Sequence, residues 1–334
     1  MYLLQALVGT IPENYSWMLK ILGFEGDLKL SMQRYAEVTK AIKIHPDYNI
    51  FLPETQLIQA YLTNQLLNNK PLAWQIMDEA TADFSTNPIS AFARANLSLH
   101  QKRNDEVLLA LSAYKPEIPE IPHLDYYLGI AKLQRGDADA GFYFSRYIKH
   151  FKGNNYVKDA YLKLGWAFLL NGDTKNYQNS MILVQRYGKA TLEDDKNAVR
   201  EAKKTQIPSV PLLKAHLLFD GGYNRKALEN LKSTDPSTFS TEQQAEYYYR
   251  LARIQEALDM NAEALENYGT VIDKFSAAGT YFAPAACYFS GMIYEEQNNK
   301  TKARYFYKKC QQYKNYIYKD SFDQKALAGL KRIE

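Results

Sequence analysis

Two cysteines in 334 residues, Cys287 and Cys310, are too few for a disulfide framework or a four-cysteine zinc site. No stretch approaches the roughly 18 apolar residues that a membrane-spanning helix needs. The opening Met1–Val8 is apolar, but it is short for a secretory signal and has no basic leader. The chain therefore reads as cytoplasmic unless an upstream signal has been removed. Twelve prolines and sixteen glycines are few for this length, and long alternating β-branched runs are missing. The remaining composition favours helix.

A net charge of +4 makes no general case for nucleic acid. Phosphate-binding glycine loops, nucleophile elbows, paired-histidine zinc motifs and calcium loops are all absent. His45, His100, His123, His150 and His216 are scattered, and carboxylates spread along helix faces where Lys or Arg can pair with them. Nothing anchors catalysis or a cofactor, and the expectation is a non-enzyme without a metal.

What the sequence does contain is 27 tyrosines and a set of spaced turn signals. Tyrosine suits half-buried joints, where the ring packs and the hydroxyl reaches water. The signals are Gly26-Asp27, Asn68-Asn69, Arg103-Asn104, Gly136-Asp137, Gly172-Asp173, Gly221-Gly222, Met260-Asn261 and Asn298-Asn299. Most gaps run from 33 to 43 residues, with one of about 50 after Gly172. Each signal separates two amphipathic segments of helical length, the pattern of a helix-turn-helix array. The expected fold is an all-α, right-handed solenoid of about seven to eight helix pairs. Gly136 is placed to end one helix and Asp137 to cap the next.

The long gap holds Glu193-Asp194-Asp195-Lys196 and Arg200 to Lys204, then Pro208 and Pro211. It predicts a charged helix from about Leu192 to Lys204 that stops before the prolines. The chain then divides into a repeat half over 1–187, a charged helical spacer over 188–208 and a second repeat half over 209–334. Pro116, Pro119 and Pro122 mark an extended connector.

Four units are clear. One has Tyr126, Leu128-Gly129, Ala131, Gly136, Gly141, Phe144 and Ile148; the next has Tyr161, Leu164-Gly165, Phe168, Gly172 and Tyr177. The third has Tyr248, Leu251-Ala252, Asp259, Ala264 and Tyr268, and the fourth Gly291, Tyr294, Asn298, Ala303, Tyr307 and Cys310. These residues resemble the tetratricopeptide repeat, in which small residues let two helices approach and large ones fill the space around them. At the N-terminal end, Trp17 to Asp27 resembles a segment of the tetratricopeptide repeat protein 39 family. Tyr281 to Ala285 through Tyr288, Gly291 and Ile293-Tyr294, Gly221-Gly222-Tyr223, and Tyr305 to Tyr313 are similar to that family as well.

The resemblance implies a protein-interaction scaffold that holds a peptide or helix in a concave groove lined by the first helix of each pair. The offsets it carries over place Tyr126, Ile130, Leu133, Leu162, Trp166, Leu169, His216, Phe219, Tyr249 and Arg253 on that groove. Such a groove is apolar and aromatic at its centre, and it lacks the Lys and Asn with which some repeat proteins hold the charged tail of a chaperone. It either receives an apolar segment, with Trp166 and Tyr126 as anchors, or packs on itself or on Met1–Thr10. A binding module for a small apolar, lipid or saccharide ligand is the alternative. The expected partner is a protein or peptide, with no nucleic acid.

Two further features stand apart. Cys287 and Cys310 fall on facing helices, as two buried thiols or as a disulfide. Lys300, Lys302, Arg304, Lys308, Lys309, Lys314 and Lys319 interleave with tyrosines, which suits the polar outer face of a terminal repeat or, alternatively, a polyanion.

Overall fold

A computed structural model describes residue 5, residues 27–113 and residues 121–334. The residues Trp17–Gly26, the stretch Met1–Thr10 apart from Gln5, and Pro116 and Pro119 lie outside the described residues. Helices α1 to α17 account for the regular structure, together with short 3-10 turns and with no strand among the described residues. They are α1 (Leu28–Ile44), α2 (Leu52–Gln65), α3 (Lys70–Ala80), α4 (Pro88–His100), α5 (Asn104–Ala113), α6 (His123–Arg135), α7 (Ala140–His150), α8 (Val157–Leu170) and α9 (Thr174–Arg186). There follow α10 (Glu193–Ala202), α11 (Val210–Asp220), α12 (Asn224–Lys232), α13 (Thr241–Glu256), α14 (Asn261–Lys274), α15 (Phe282–Glu296), α16 (Lys300–Gln312) and α17 (Lys319–Arg332).

The contacts gather the chain into two compact units, Met1–Ala131 with Phe142–Lys152, and Lys132–Gly141 with Gly153–Glu334. In the first unit α2 packs on α3 and α4 on α5. In the second the pairs are α8 with α9, α11 with α12, α13 with α14 and α15 with α16.

The turns work as their residue types require. Seven described turns each contain one residue in the left-handed region: Asn68, Lys102, Gly136, Gly172, Gly222, Asp259 and Asn298. Gly136 ends α6 with φ +90° and its N–H bonded to the Lys132 carbonyl at 3.0 Å. Asp137 behaves differently from the expected cap. Its carboxylate is taken by Arg135, whose Nε donates at 2.8 Å, and by Lys132. Those contacts hold its pKa below the ordinary carboxylate value, the Arg135 hydrogen bond foremost. Elsewhere the short polar side chains do cap: Asp27, Asn69, Asn87, Asp173 and Asn299 accept N–H bonds from the next turn. Ser240 and Gln243 form a reciprocal capping box at the start of α13.

Many tyrosines are half-buried as expected, but several lie deeper. Tyr147, Tyr268 and Tyr307 are fully buried. A buried phenol needs an acceptor, and two repeats solve this alike. Tyr268 donates to Glu256 and Tyr307 donates to Glu295, each glutamate lying 12 residues earlier on the partner helix of its pair. Arg253 and Arg332 neutralise those glutamates.

The expected charged helix forms as α10 and lies against α8 and α9. Its Asp195, Ala198 and Ala202 are buried, and Asp195 caps a neighbouring helix. Its Oδ2 accepts the Tyr156 N–H at 2.8 Å and its Oδ1 the Asp159 N–H at 3.2 Å, both at the start of α8. At the other end of the same unit, the Tyr318 hydroxyl donates to Asn197 of α10 at 2.6 Å. The segment between the repeats is thus bound on two sides.

Cys287 and Cys310 are free thiols with no exposed surface. Burial is the main cause that pushes both up to about 12, and each is raised further by a neighbouring acidic group. Thiolate is the reactive form, so neither is ready to react. Iodoacetamide at pH 8 should leave both unmodified in the native protein for hours and label both within minutes in denaturant, read by intact mass. Labelling of the native protein at the denatured rate would contradict the packing of α15 on α16. Of the basic and aromatic set on α16, Tyr307 is core, while Arg304, Tyr305 and Lys308 are exposed.

Candidate functional site

The second unit contains a cavity of about 220 Å³ lined by Ala215, His216, Phe219, Asp220, Tyr249, Arg250, Arg253, Tyr281 and Phe289. Three helices, α11, α13 and α15, supply all of these residues except Tyr281, which immediately precedes α15. Each is the first helix of its pair, so the cavity opens on the face that the second helices leave uncovered. Helical spacing explains which residues converge. Residues 215, 216, 219 and 220 share one side of α11, and 249, 250 and 253 share one side of α13.

Aromatic rings form much of the wall. Tyr249 is buried, with its ring centroid 5.9 Å from Tyr281 and 5.2 Å from Phe282. The Arg253 guanidinium lies over Phe289 at 3.5 Å and 5.7 Å from Phe219. Trp166, from α8, meets His216 edge-on at 6.1 Å. Its indole N–H is buried without an acceptor.

Charges are paired with care around this wall. Arg250 gives its Nε to Glu246 at 2.6 Å, and Arg253 gives Nη1 to Glu256 at 2.5 Å. His216 Nε2 lies 3.0 Å from Asp220. Burial works against the charge of Arg253, yet Tyr268 and Glu256 outweigh it and hold its pKa above the ordinary value. For Glu246, burial is also the largest cause and would raise its pKa; Arg250, His216 and Lys204 together bring it below the usual range. Burial pushes the Tyr249 hydroxyl up to about 12 and Tyr281 higher. Such clustered shifts mark a place where side chains are held in a desolvated polar setting.

Of the residues expected to line a groove, His216, Phe219, Tyr249 and Arg253 meet at this cavity. Trp166 stands beside His216 and is half-buried. Leu162 and Leu169 of α8 are buried in the second unit. In the first unit Tyr126 is buried among Tyr147, Phe144 and His123, and Ile130 is half-buried. Leu133, across the division in α6, is buried as well. Shortening Tyr126 therefore tests packing.

Sequence reasoning missed Ala215, Asp220, Arg250, Tyr281 and Phe289. A signal was available for two of them. Arg250 and Phe289 occupy the same place in their repeats, one residue after the expected groove position. A helix of 3.6 residues per turn presents both neighbouring positions to a face of that width.

Residues 246–277, spanning most of α13 and all of α14, match the family model of the tetratricopeptide repeat. No curated protein matches the chain. Together with the helix pairs, that match makes the protein an all-α, tetratricopeptide-like helical-repeat protein. Repeats of this kind generally mediate protein–protein interaction, and the fold is typically a non-enzymatic scaffold. Among the described residues no helix is long and apolar enough to cross a membrane, and no group of three or more His, Cys, Asp and Glu could hold a metal ion.

Proposed function

We propose that this protein is a scaffold or adaptor without catalytic activity that binds a peptide or helix of a partner along the first helices of its second unit. The cavity between α11, α13 and α15 carries this reading. It is walled by Phe219, Tyr249, Tyr281 and Phe289 and is about 220 Å³ in volume. Sites that enclose a drug-sized molecule run from roughly 300 to 1,000 Å³. This one has the size of a socket for a single side chain, as at the buried centre of a protein interface. That size favours a polypeptide over a lipid or a larger saccharide. His216, Phe219, Tyr249 and Arg253 form the socket in this reading, and Trp166 extends it across His216. Leu133, Leu162 and Leu169 pack within the second unit in this reading, and Tyr126 and Ile130 pack within the first.

The division into 1–187, 188–208 and 209–334 enters the same proposal as two repeat halves joined by α10. The finer kinship with the tetratricopeptide repeat protein 39 family does so as well. It rests on Tyr281 to Ala285, Gly221-Gly222-Tyr223 and Tyr305 to Tyr313 as well as on residues before Asp27, and it too implies an adaptor.

A displayed random-peptide library selected on the full chain tests the proposal. The wild type should enrich a peptide consensus, and a His216→Ala, Phe219→Ala variant should lose most of that enrichment while keeping its helical circular dichroism. Equal enrichment of the same peptides by both chains would place recognition elsewhere.

A further inference from the structure

We propose that the socket between α11, α13 and α15 takes an aryl oxyanion, an aromatic ring bearing a carboxylate or phosphate. This inference rests on the cavity being the recognition site of the second unit. Its charge comes first. The lining carries two guanidinium groups, Arg250 and Arg253, against one carboxylate, Asp220. Glu246 and Glu256, which pair with the two arginines, are not part of the lining. Arg250 commits Nε and Nη2 to Glu246, and Arg253 commits Nη1 to Glu256. Asp220 is in turn engaged by His216.

The arginines are placed for an incoming anion. They sit three residues apart on α13 and reach the same cavity from adjacent turns. Both are largely buried, with side-chain exposures of 15% and 23%. A desolvated guanidinium binds a carboxylate or phosphate by charge-assisted, fork-shaped hydrogen bonds that a lysine cannot reproduce. The other wall selects the body of the ligand. Phe219, Tyr249, Tyr281 and Phe289 surround the space, and the Arg253 guanidinium already lies over Phe289 at 3.5 Å. A flat ring can stack in the same manner, and the volume admits about one ring with its head group. The ligand is then an acidic aromatic side chain on a partner, such as a phosphorylated tyrosine, or a free small molecule with the same chemistry.

Calorimetry on the full chain tests this with phenyl phosphate, benzoate, benzyl alcohol and inorganic phosphate as probes. The two aryl anions should bind at least about tenfold more tightly than benzyl alcohol or inorganic phosphate, since a charge-assisted hydrogen bond contributes on that order. Arg253→Lys should weaken both aryl anions about tenfold, and Phe289→Leu should weaken them too, while thermal melts show both variants folded. If Arg253→Lys does not fold, Arg250→Lys serves in its place with the same expectation. Lys308→Gln, on the exposed face of α16, should change nothing.

Comparing a phosphotyrosine peptide with phenyl phosphate separates the two sources. Tighter binding of the peptide indicates a side chain, and equal or weaker binding a small molecule. Three results overturn the proposal: benzyl alcohol binding as well as benzoate, affinity insensitive to both arginine variants, or no aryl anion binding at millimolar concentration. If peptide enrichment is lost in the His216→Ala, Phe219→Ala variant while the anions fail to bind, the aryl oxyanion is excluded and the polypeptide reading stands.

Discussion

Gly291→Ala should lower the stability of the C-terminal repeats by roughly 1–3 kcal/mol, the usual cost of forcing a methyl group into a filled core. A Cβ at position 291 would lie 2.6 Å from Cε1 of Tyr307. The ring cannot retreat on the other side, because a Cβ at Gly329 would meet its Cε2 and Cζ at 2.5 Å. Nor can it slide along its own axis, since its hydroxyl is bonded to Glu295 and Arg332 holds that glutamate. Tyr307 is thus clasped between α15 and α17, with both glycines in contact with one fully buried ring.

Gly329→Ala should cost a similar amount. Combining Gly291→Ala with Tyr307→Leu should cost less than the sum of the two, because the smaller side chain removes the clash. Gly269 in α14 is the control. Nothing lies within 4 Å of its added Cβ, so Gly269→Ala should stabilise by about 0.5–1 kcal/mol through helix propensity alone. Urea titrations followed by circular dichroism give these values, with Tyr307→Leu alone measured for the sum. Equal effects at 269 and 291 would mean that the clasp does not exist.

The second large effect concerns Asp195. The helix α8 begins after Tyr156, which has φ 60° and gives no side-chain cap. The missing cap is supplied from α10, by Asp195. Asp195→Ala would strand two N–H groups in a buried place, each worth on the order of 1 kcal/mol or more. A loss of about 2 kcal/mol is expected, with faster hydrogen exchange at the Tyr156 and Asp159 amides. Undocking of α10 should also release Tyr318, whose hydroxyl is bonded to Asn197.

The pH dependence has a definite sign. Burial is the main cause that raises the Asp195 pKa above the ordinary carboxylate value. A carboxyl group whose folded pKa is raised favours folding in its protonated form, fully below the unfolded pKa, and that contribution is lost as pH rises through the folded value. Measured against Asp195→Asn, which cannot titrate, the wild type should therefore gain relative stability as pH falls from neutrality towards about 4. A relative gain on raising the pH instead would mean that the two N–H bonds outweigh desolvation.

Much of the architecture is legible in local chemistry. Asn68, Gly136, Gly172, Gly222 and Asn298 are residues that accept a left-handed conformation, and each sits in its turn with positive φ. Ala252, Ala264, Ala303 and Gly291 are small residues at close approaches of paired helices, and the three alanines have no exposed surface. Such features depend on neighbours a few residues away, or on a repeat that recurs at a steady interval. The site was legible in part for the same reason. His216, Phe219, Tyr249 and Arg253 follow from counting along single helices, whereas Tyr281 lies before the start of α15, where no helical offset applies.

The sequence alone determined the helix pairs and their turns, because turn chemistry and a 3.6-residue period act over one or two helices. Three things belonged to the tertiary structure. Burial of whole tyrosines depended on a glutamate 12 residues away on another helix, and capping of α8 depended on a carboxylate 36 residues on. The two arginines with their rings became a single socket only once α11, α13 and α15 packed side by side. Those relations join groups that are close in space and distant along the chain, and no local preference encodes the packing of one helix pair against the next.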